Sequence, residues 1–282
     1  MKLEFDKVSF HYTDLTKQSS KVLNNISLAI HENECLAIVG PSGSGKTTLL
    51  QHFTGLLTPC KGRVLCDGSD IASKGVNLTQ LRRRIGLVFQ FPENQLFEET
   101  VFKDVAFGPL KMGLDHSKLA QRVRSALETV GLDFDRLENR SPFTLSEGEK
   151  RRTAIAGILA MDPEMIAFDE PTAGLDPKSV SLLKDMSKGL LRQGKTVVVV
   201  THHMDFVASI ADRVVVMWQG KIIFDDTPVR LFRDRELLNR AGLDVPDFQR
   251  ELEAWRGKLP EILINARDRK EWVEKLTQIT HL

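Results

Sequence analysis

The sequence predicts an α/β fold with a largely parallel sheet, an antiparallel edge, a helical insertion and a small C-terminal helical extension. Short apolar runs of strand length alternate with helix-like patterns, which is typical of a parallel sheet covered by helices. The pattern turns helical between residues 100 and 140, and the composition changes after Asp226. We therefore expect a main domain over residues 1–226, with the insertion at about 91–160, and the extension over 227–282.

Nine segments are expected to be strands, because each is a short apolar run or alternates apolar with polar residues. They cover residues 3–10, 22–30, 35–39, 62–68, 85–89, 165–168, 196–200, 213–218 and 221–224. Gln219-Gly220 separates the last two, which predicts a terminal hairpin and hence the antiparallel edge.

Helices are expected where apolar residues recur every three or four positions. Residues 145–161 and 177–192 are expected to be two of them, and Gly131 is placed to end another. The apolar positions before Gly131 are Leu119, Val123, Ala126, Leu127 and Val130; those of the extension are Phe248, Leu252 and Trp255, then Trp272, Val273, Leu276 and Ile279 within residues 267–280. The extension has too few apolar residues for a separate full domain, so we expect it to cover or pair with another surface.

The bulk composition excludes some classes of protein. Lys+Arg 39 against Asp+Glu 38 gives a net charge of +1, so no overall field favours nucleic acid. Cys35, Cys60 and Cys66 have no metal-site spacing and suit a reducing compartment. No signal-peptide pattern and no apolar run near the roughly 20 residues of a membrane span are found. We expect a soluble, cytoplasmic chain whose membrane role would run through a partner.

A glycine-rich segment between a predicted buried strand and a predicted helix fits the phosphate-binding pattern of Gly, four residues, Gly-Lys-Ser/Thr. Its residues are Gly40, Pro41, Ser42, Gly43, Ser44, Gly45, Lys46, Thr47 and Thr48. Backbone N–H groups at a helix N-terminus would meet phosphate oxygens, Lys46 would bridge the β- and γ-phosphates, and the Thr47 hydroxyl would hold Mg²⁺. The alternative is a chance Gly/Ser-rich turn. The pattern therefore predicts that the chain binds a nucleoside triphosphate.

Polar residues follow three other predicted strands. Asp169 is placed to hold Mg²⁺, and Glu170 to orient or deprotonate an attacking water. His202 could reach the γ-phosphate, although a capping or core histidine is the alternative and the neighbouring His203 could take either role. Gln90 could sense Mg²⁺ and water.

The order of these features resembles the ATP-binding-cassette (ABC) ATPases over about residues 3–224. The most specific part is Leu-Ser-x-Gly at residues 145–148, just upstream of the Asp-Glu strand. The resemblance implies the P-loop NTPase fold, ATP hydrolysis and a head-to-tail dimer that clamps ATP between the phosphate loop and the opposing Ser146 and Gly148. It also implies that Tyr12, otherwise an exposed loop residue, stacks on adenine, and that Asp176 belongs to a loop that signals across the dimer.

A finer resemblance is to the ATPases of energy-coupling-factor (ECF) importers of vitamins and transition-metal ions. It is carried by residues 91–109 after Gln90, by Ala173 to Pro177, and by the helical tail. It implies a homo- or heterodimer on the cytoplasmic face of the membrane, with ATP and Mg²⁺ as cofactors. A transmembrane T component would dock on residues 91–101, with Leu96 and Phe97 as test positions, and a substrate-binding S component would choose the cargo.

The signature departs from the family's usual Leu-Ser-Gly-Gly-Gln, since Glu147 and Glu149 replace a Gly and the Gln. Carboxylates near a γ-phosphate are unfavourable, so we expect both to point away and the site to remain competent. The alternatives are a weakened signature or two unequal composite sites.

Three other functions share parts of the pattern. They are the ATPase of another ABC importer or exporter, a soluble ABC-type ATPase acting on nucleic acid or ribosomes, and a P-loop kinase or GTPase. The near-zero charge and the lack of a long heptad segment argue against the second, and the signature helix argues against the third.

Overall fold

The computed structural model describes residues 1–12, 21–254 and 269–280. Within them the strands are β1 (Leu3–His11), β2 (Lys21–Ile30), β3 (Cys35–Val39), β4 (Lys61–Cys66), β5 (Ser69–Asp70), β6 (Ile85–Val88), β7 (Met165–Asp169), β8 (Thr196–Val200), β9 (Arg213–Trp218) and β10 (Lys221–Asp226). All nine predicted strands are confirmed, with ends that differ by at most two residues; among the described residues, only the two-residue β5 was not predicted.

The helices belong mainly to the insertion, to the sheet connections and to the C-terminal region. They are α1 (Lys46–Phe53), α2 (Leu78–Arg84), α3 (Val101–Lys111), α4 (His116–Thr129), α5 (Phe134–Leu137), α6 (Glu147–Leu159), α7 (Pro177–Arg192), α8 (Met204–Ile210), α9 (Pro228–Arg233), α10 (Arg235–Ala241), α11 (Asp247–Ala254) and α12 (Arg269–Thr280). The short α8 was not predicted, because a helix of seven residues shows too little periodicity. Within the described residues, no helix combines the length and the apolar composition that a membrane span requires.

The larger sheet has six strands in the order β10-β9-β3-β8-β7-β6. β3, β6, β7, β8 and β9 run parallel, and β10 pairs antiparallel with β9 at the edge. The central strands are buried along their whole length, as the continuous apolar runs predicted. The predicted parallel sheet with an antiparallel edge is therefore confirmed.

A second, fully antiparallel sheet has the order β2-β1-β4-β5. The sequence predicted three of its strands but not that they form a sheet of their own. Alternation along a strand shows which face is buried, whereas the choice of neighbouring strand depends on packing between distant segments.

Three apolar layers hold these elements together. Along β7, Met165 and Ala167 face the layer between the two sheets, while Ile166 and Phe168 face the helical insertion. This division follows from the alternation of side chains along a strand. The sheet is therefore packed on both faces, and only the ends of its strands remain for a polar site.

The third layer joins the start of the C-terminal region to the edge of the large sheet. Leu231, Phe232 and Leu238, from α9 and α10, pack with Val214 and Val216 of β9. This confirms that the extension covers another surface, at least in α9 and α10. Trp255 and Arg267, like the side chain of Ile279, lie outside the described residues.

We expect Leu231→Ala to lower the free energy of unfolding by about 2–5 kcal/mol, because the side chain is fully buried and its removal leaves a cavity. Urea unfolding of the purified chain measures this. Leu56, which is 50% exposed, is the control, and Leu56→Ala is expected to cost less than about 1 kcal/mol. Equal losses for the two variants would show that α9 does not contribute to the cooperative core.

Candidate nucleotide-binding site

The phosphate loop connects β3 to α1 at the carboxyl end of the large sheet. Gly40, Gly43 and Gly45 have positive φ angles of 144°, 76° and 102°. A Cβ atom at Gly40 would lie 2.1 Å from the carbonyl oxygen of Met217, so this position excludes every side chain. The loop therefore needs glycine for its conformation and, at Gly40, for its close approach to β9.

Lys46 is the first residue of α1, and its side chain folds back over the loop. Its Nζ donates hydrogen bonds to the carbonyl oxygens of Gly40, at 2.8 Å, and Pro41, at 2.9 Å. Burial lowers the pKa of Lys46, while the carboxylates of Glu170 and Asp169 act in the opposite direction. The ammonium group is thus held beside the loop and next to two carboxylates.

Two buried oxygen atoms of the site have no hydrogen-bond partner among the described residues, namely Ser44 Oγ and Asp169 Oδ1. Asp169 is 5% exposed, and burial raises the pKa of its carboxyl group, while a hydrogen bond from the Thr47 side chain lowers it. Unpartnered buried oxygens are costly unless a ligand completes them. Oxygen donors from Asp169 and Thr47 beside a phosphate loop fit a hard divalent cation such as Mg²⁺.

Glu170 and His202 meet at the ends of two neighbouring strands. Asp169 pairs with Val200 across β7 and β8, and His202 Nδ1 lies 2.9 Å from Glu170 Oε2. His203 is the capping histidine that the sequence analysis gave as the alternative. Its Nδ1 accepts the Phe206 N–H at 3.1 Å and caps α8. Of the two histidines, the structure places His202 at the carboxylate.

Gln90 follows β6, whose Val88 is paired with Phe168 of β7. Its exposed side chain therefore starts at the sheet edge that also carries Asp169 and Glu170.

Tyr12 lies on the other side of the loop, where its hydroxyl is 3.2 Å from Thr48 Oγ1. Its ring packs edge-on against Phe10 and is 49% exposed, so one surface remains open beside α1.

Ser146 caps α6 in the helical insertion, and Gly148 lies in the first turn of that helix. Ser146 is exposed, so the N-terminus of α6 lies at the protein surface. Asp176 caps α7, since its carboxylate accepts the Ser179 N–H at 2.9 Å. The signature residues therefore lie on a separate surface feature from the phosphate loop, as a head-to-tail pairing would need.

The two glutamates of the signature behave differently. Glu147 is 78% exposed and bonds to Lys150 at 2.8 Å, which agrees with the expectation that it points away. Glu149 instead turns back and accepts hydrogen bonds from Ser146, so that expectation is wrong for Glu149. The physical reason is helix capping, because a glutamate three residues after an N-cap serine satisfies a free backbone N–H.

Residues 23–173 match the family described as ABC transporter. This chain belongs to the ABC transporter family. The energy-coupling factor transporter ATP-binding protein EcfA2 of Symbiobacterium thermophilum is 50% identical over 246 residues, which cover 87% of this chain and 85% of that protein. EcfA2 of Caldanaerobacter subterraneus subsp. tengcongensis is 43% identical over 277 residues, covering 97% of this chain and 96% of that protein.

Solved structures agree with the sequence relatives. The structure of cbiO1 from Clostridium perfringens, described as part of the ABC transporter complex cbiONQ, has a TM-score of 0.75 at 36% identity and covers 89% of this chain and 98% of its own. A dimeric ATP-binding cassette in a post-hydrolysis state, bound to ADP and Pi, has a TM-score of 0.72 at 31% identity, with 80% and 98% covered. The predicted P-loop ABC ATPase fold, the resemblance to ECF ATPases and the ATPase activity are confirmed, and the chain binds ATP as a member of this family.

Arg151 joins several segments of this ABC ATPase, and the sequence analysis did not identify it. It is 7% exposed on α6, and its Nη1 donates to the carbonyl oxygen of Ala173 at 2.8 Å. Its Nε lies 4.0 Å from Glu93 Oε2, and its guanidinium lies 5.9 Å from the centre of the Phe91 ring. One buried side chain thus connects the signature helix with the segment after Gln90 and the loop after Glu170. The sequence shows three cations in a row at residues 150–152, but it does not show which of them is buried.

We expect Gly40→Ala to destabilise the chain by more than about 2 kcal/mol and to weaken ATP binding, because its Cβ would collide with the Met217 carbonyl oxygen. Gly43→Ala is the matched control. A Cβ there meets nothing within 4 Å, so only the left-handed backbone, about 1 kcal/mol, opposes it. Urea unfolding and ATP titration of both variants provide the measurement, and equal stability of the two would contradict the close approach at Gly40.

Proposed function

We propose that the chain is the ATP-hydrolysing subunit of an ECF importer and that it binds ATP between two such subunits at the cytoplasmic face of a membrane. The observation that carries this proposal is the pairing of Glu170 with His202 beside the phosphate loop, while the signature Ser146 lies exposed on the insertion. One chain thus presents two half-sites, and each needs a complement from another subunit. The names of the relatives support the transporter class.

Each half-site residue has a role that follows from its position. The N–H groups of the phosphate loop and Lys46 would bind the β- and γ-phosphates, and the open surface of Tyr12 would stack on adenine. Thr47, Asp169 and Gln90 are the residues that would hold Mg²⁺, which neutralises phosphate charge when it is bound. Ser146 and the Gly148 N–H of the opposing subunit would complete the γ-phosphate site, with Asp176 at the same interface.

Hydrolysis requires a water molecule in line with the γ-phosphate. The water oxygen forms the new bond to phosphorus, the bond between phosphorus and the β–γ bridging oxygen breaks, and ADP leaves. Glu170 would accept the proton of the water, and His202, bonded to the same carboxylate at 2.9 Å, would hold Glu170 in place and contact the γ-phosphate.

The surface proposed for the T component lies where the insertion begins. Phe97 is 56% exposed, Phe107 is 39% exposed, and their rings meet edge-on with centres 4.9 Å apart. The Asp104 carboxylate fixes the preceding turn by accepting the N–H groups of Phe97 and Glu98, each at 2.9 Å. An apolar surface on a fixed turn suits a helix of a membrane partner, and the T component would pass the movement on to an S component that selects the cargo.

Leu96, named beside Phe97 as a test position from the sequence, is unsuitable because it is only 8% exposed. A charge there would disturb the core rather than a docking surface. Phe97 is the better probe.

Glu170→Gln is expected to reduce ATP turnover by about a hundredfold or more while ATP binding is retained, because the amide cannot accept the proton of the attacking water. Steady-state hydrolysis and ATP titration of the purified transporter complex measure the two properties. The exposed Glu128→Gln serves as the matched control and should leave both unchanged. Turnover near the wild-type level in Glu170→Gln would remove Glu170 from the role of base.

Phe97→Asp is expected to reduce co-purification of the membrane component by about tenfold without changing ATP affinity, because an exposed apolar contact is replaced by a charge. Leu56→Asp introduces the same charge at another exposed apolar position and should have no effect. Undiminished assembly of Phe97→Asp would place the docking surface elsewhere.

A further inference from the structure

Ser146 and Glu149 form a closed set of hydrogen bonds at the start of α6. The Ser146 hydroxyl accepts the Glu149 N–H at 3.3 Å and donates to Glu149 Oε2 at 3.0 Å. The Ser146 N–H donates to the same carboxylate oxygen at 3.1 Å. Both donors of Ser146 are therefore used by a carboxylate of its own chain.

The carboxylate is also held from its other side. Arg136 Nη2 donates to Glu149 Oε1 at 2.6 Å, and the Glu149 side chain is only 17% exposed. The Ser146 N–H lowers the pKa of Glu149, the Ser146 hydroxyl and Arg136 add to this effect, and burial opposes it. The group is thus an anion fixed at the N-terminus of α6, and Arg136, whose side chain is 58% exposed, shields it only in part.

The cap itself does not require a negative charge. A capping box forms with Glu or Gln at the third helical position, because either side chain offers an oxygen to the N–H of the N-cap residue. Glutamine at position 149 would therefore keep the helix end and remove the charge.

We propose that Glu149 is a positioning residue that restrains ATP clamping, because its negative charge is held at the Ser146 donors that the γ-phosphate of an opposing nucleotide would use. This inference rests on the proposed function. A phosphate oxygen bonded to Ser146 Oγ would lie about 2.7 Å from that oxygen, so it would be within roughly 6 Å of a carboxylate that stays 3.0 Å from Oγ. Clamping must therefore break the bond between the Ser146 hydroxyl and Glu149 and bring two anions together.

The test compares Glu149→Gln with wild type in the purified transporter complex, using ATP as the ligand. We expect the KM for ATP to fall about three- to tenfold, because one negative charge beside the phosphate is removed. The kcat should change less, since Glu170 and His202 are untouched. The melting temperature should shift by no more than about 5 °C, because the cap is retained.

Glu147→Gln is the matched control. It removes a charge from the same helical turn, but Glu147 is 78% exposed and bonds to Lys150 rather than to Ser146. We expect its KM to stay within about twofold of wild type.

An unchanged or raised KM in an active Glu149→Gln complex would overturn the inference and leave the proposed function intact. An equal fall in KM for Glu147→Gln would also overturn it, since the effect would then be a general one of surface charge. Absence of ATP hydrolysis in the wild-type complex would instead refute the proposed function, and the inference with it.

Discussion

The parallel pairing of β3, β7 and β8 is the constraint on which the rest of the structure depends. Because parallel strands end at the same edge, it brings the phosphate loop after Val39, the carboxylates at Asp169 and Glu170, and His202 together from positions far apart in the chain. These strands are central in the sheet, and their side chains are buried on both of its faces. A polar site therefore forms only where the strands end.

For both Lys46 and Asp169 at this edge, burial and the charge of the other residue shift the pKa in opposite directions. Lys46 and Asp169 are both partly removed from water, and burial alone would favour the neutral form of each. Their proximity offsets that effect. The unpartnered oxygens of Ser44 and Asp169 mark the positions where a phosphate and its cation would complete the hydrogen bonding.

The insertion is connected to this edge by specific contacts as well as by apolar packing. Arg151 donates to the carbonyl oxygen of Ala173 and lies near the Glu93 carboxylate. The segment after Gln90 and the loop that leads to Asp176 therefore contact the same side chain. The buried guanidinium of Arg151 thus joins the segment that precedes Phe97 to the loop that leads to Asp176. Glu149 lies only two residues before Arg151, in the first turn of the same helix.

The sequence by itself determined the strands, the phosphate loop and the order of the strand-end residues, because these follow from local periodicity and from glycine at fixed spacing. Only the tertiary structure decided which histidine faces Glu170, that Glu149 turns onto Ser146, that Leu96 is buried while Phe97 is exposed, and that the antiparallel strands form a separate sheet. Most of these outcomes depend on contacts between distant segments, such as Glu170 with His202, and local patterns carry no information about such contacts. Glu149 is the exception, since its contact is only three residues away. The sequence analysis expected repulsion from a γ-phosphate to turn this carboxylate away, but it caps the helix instead.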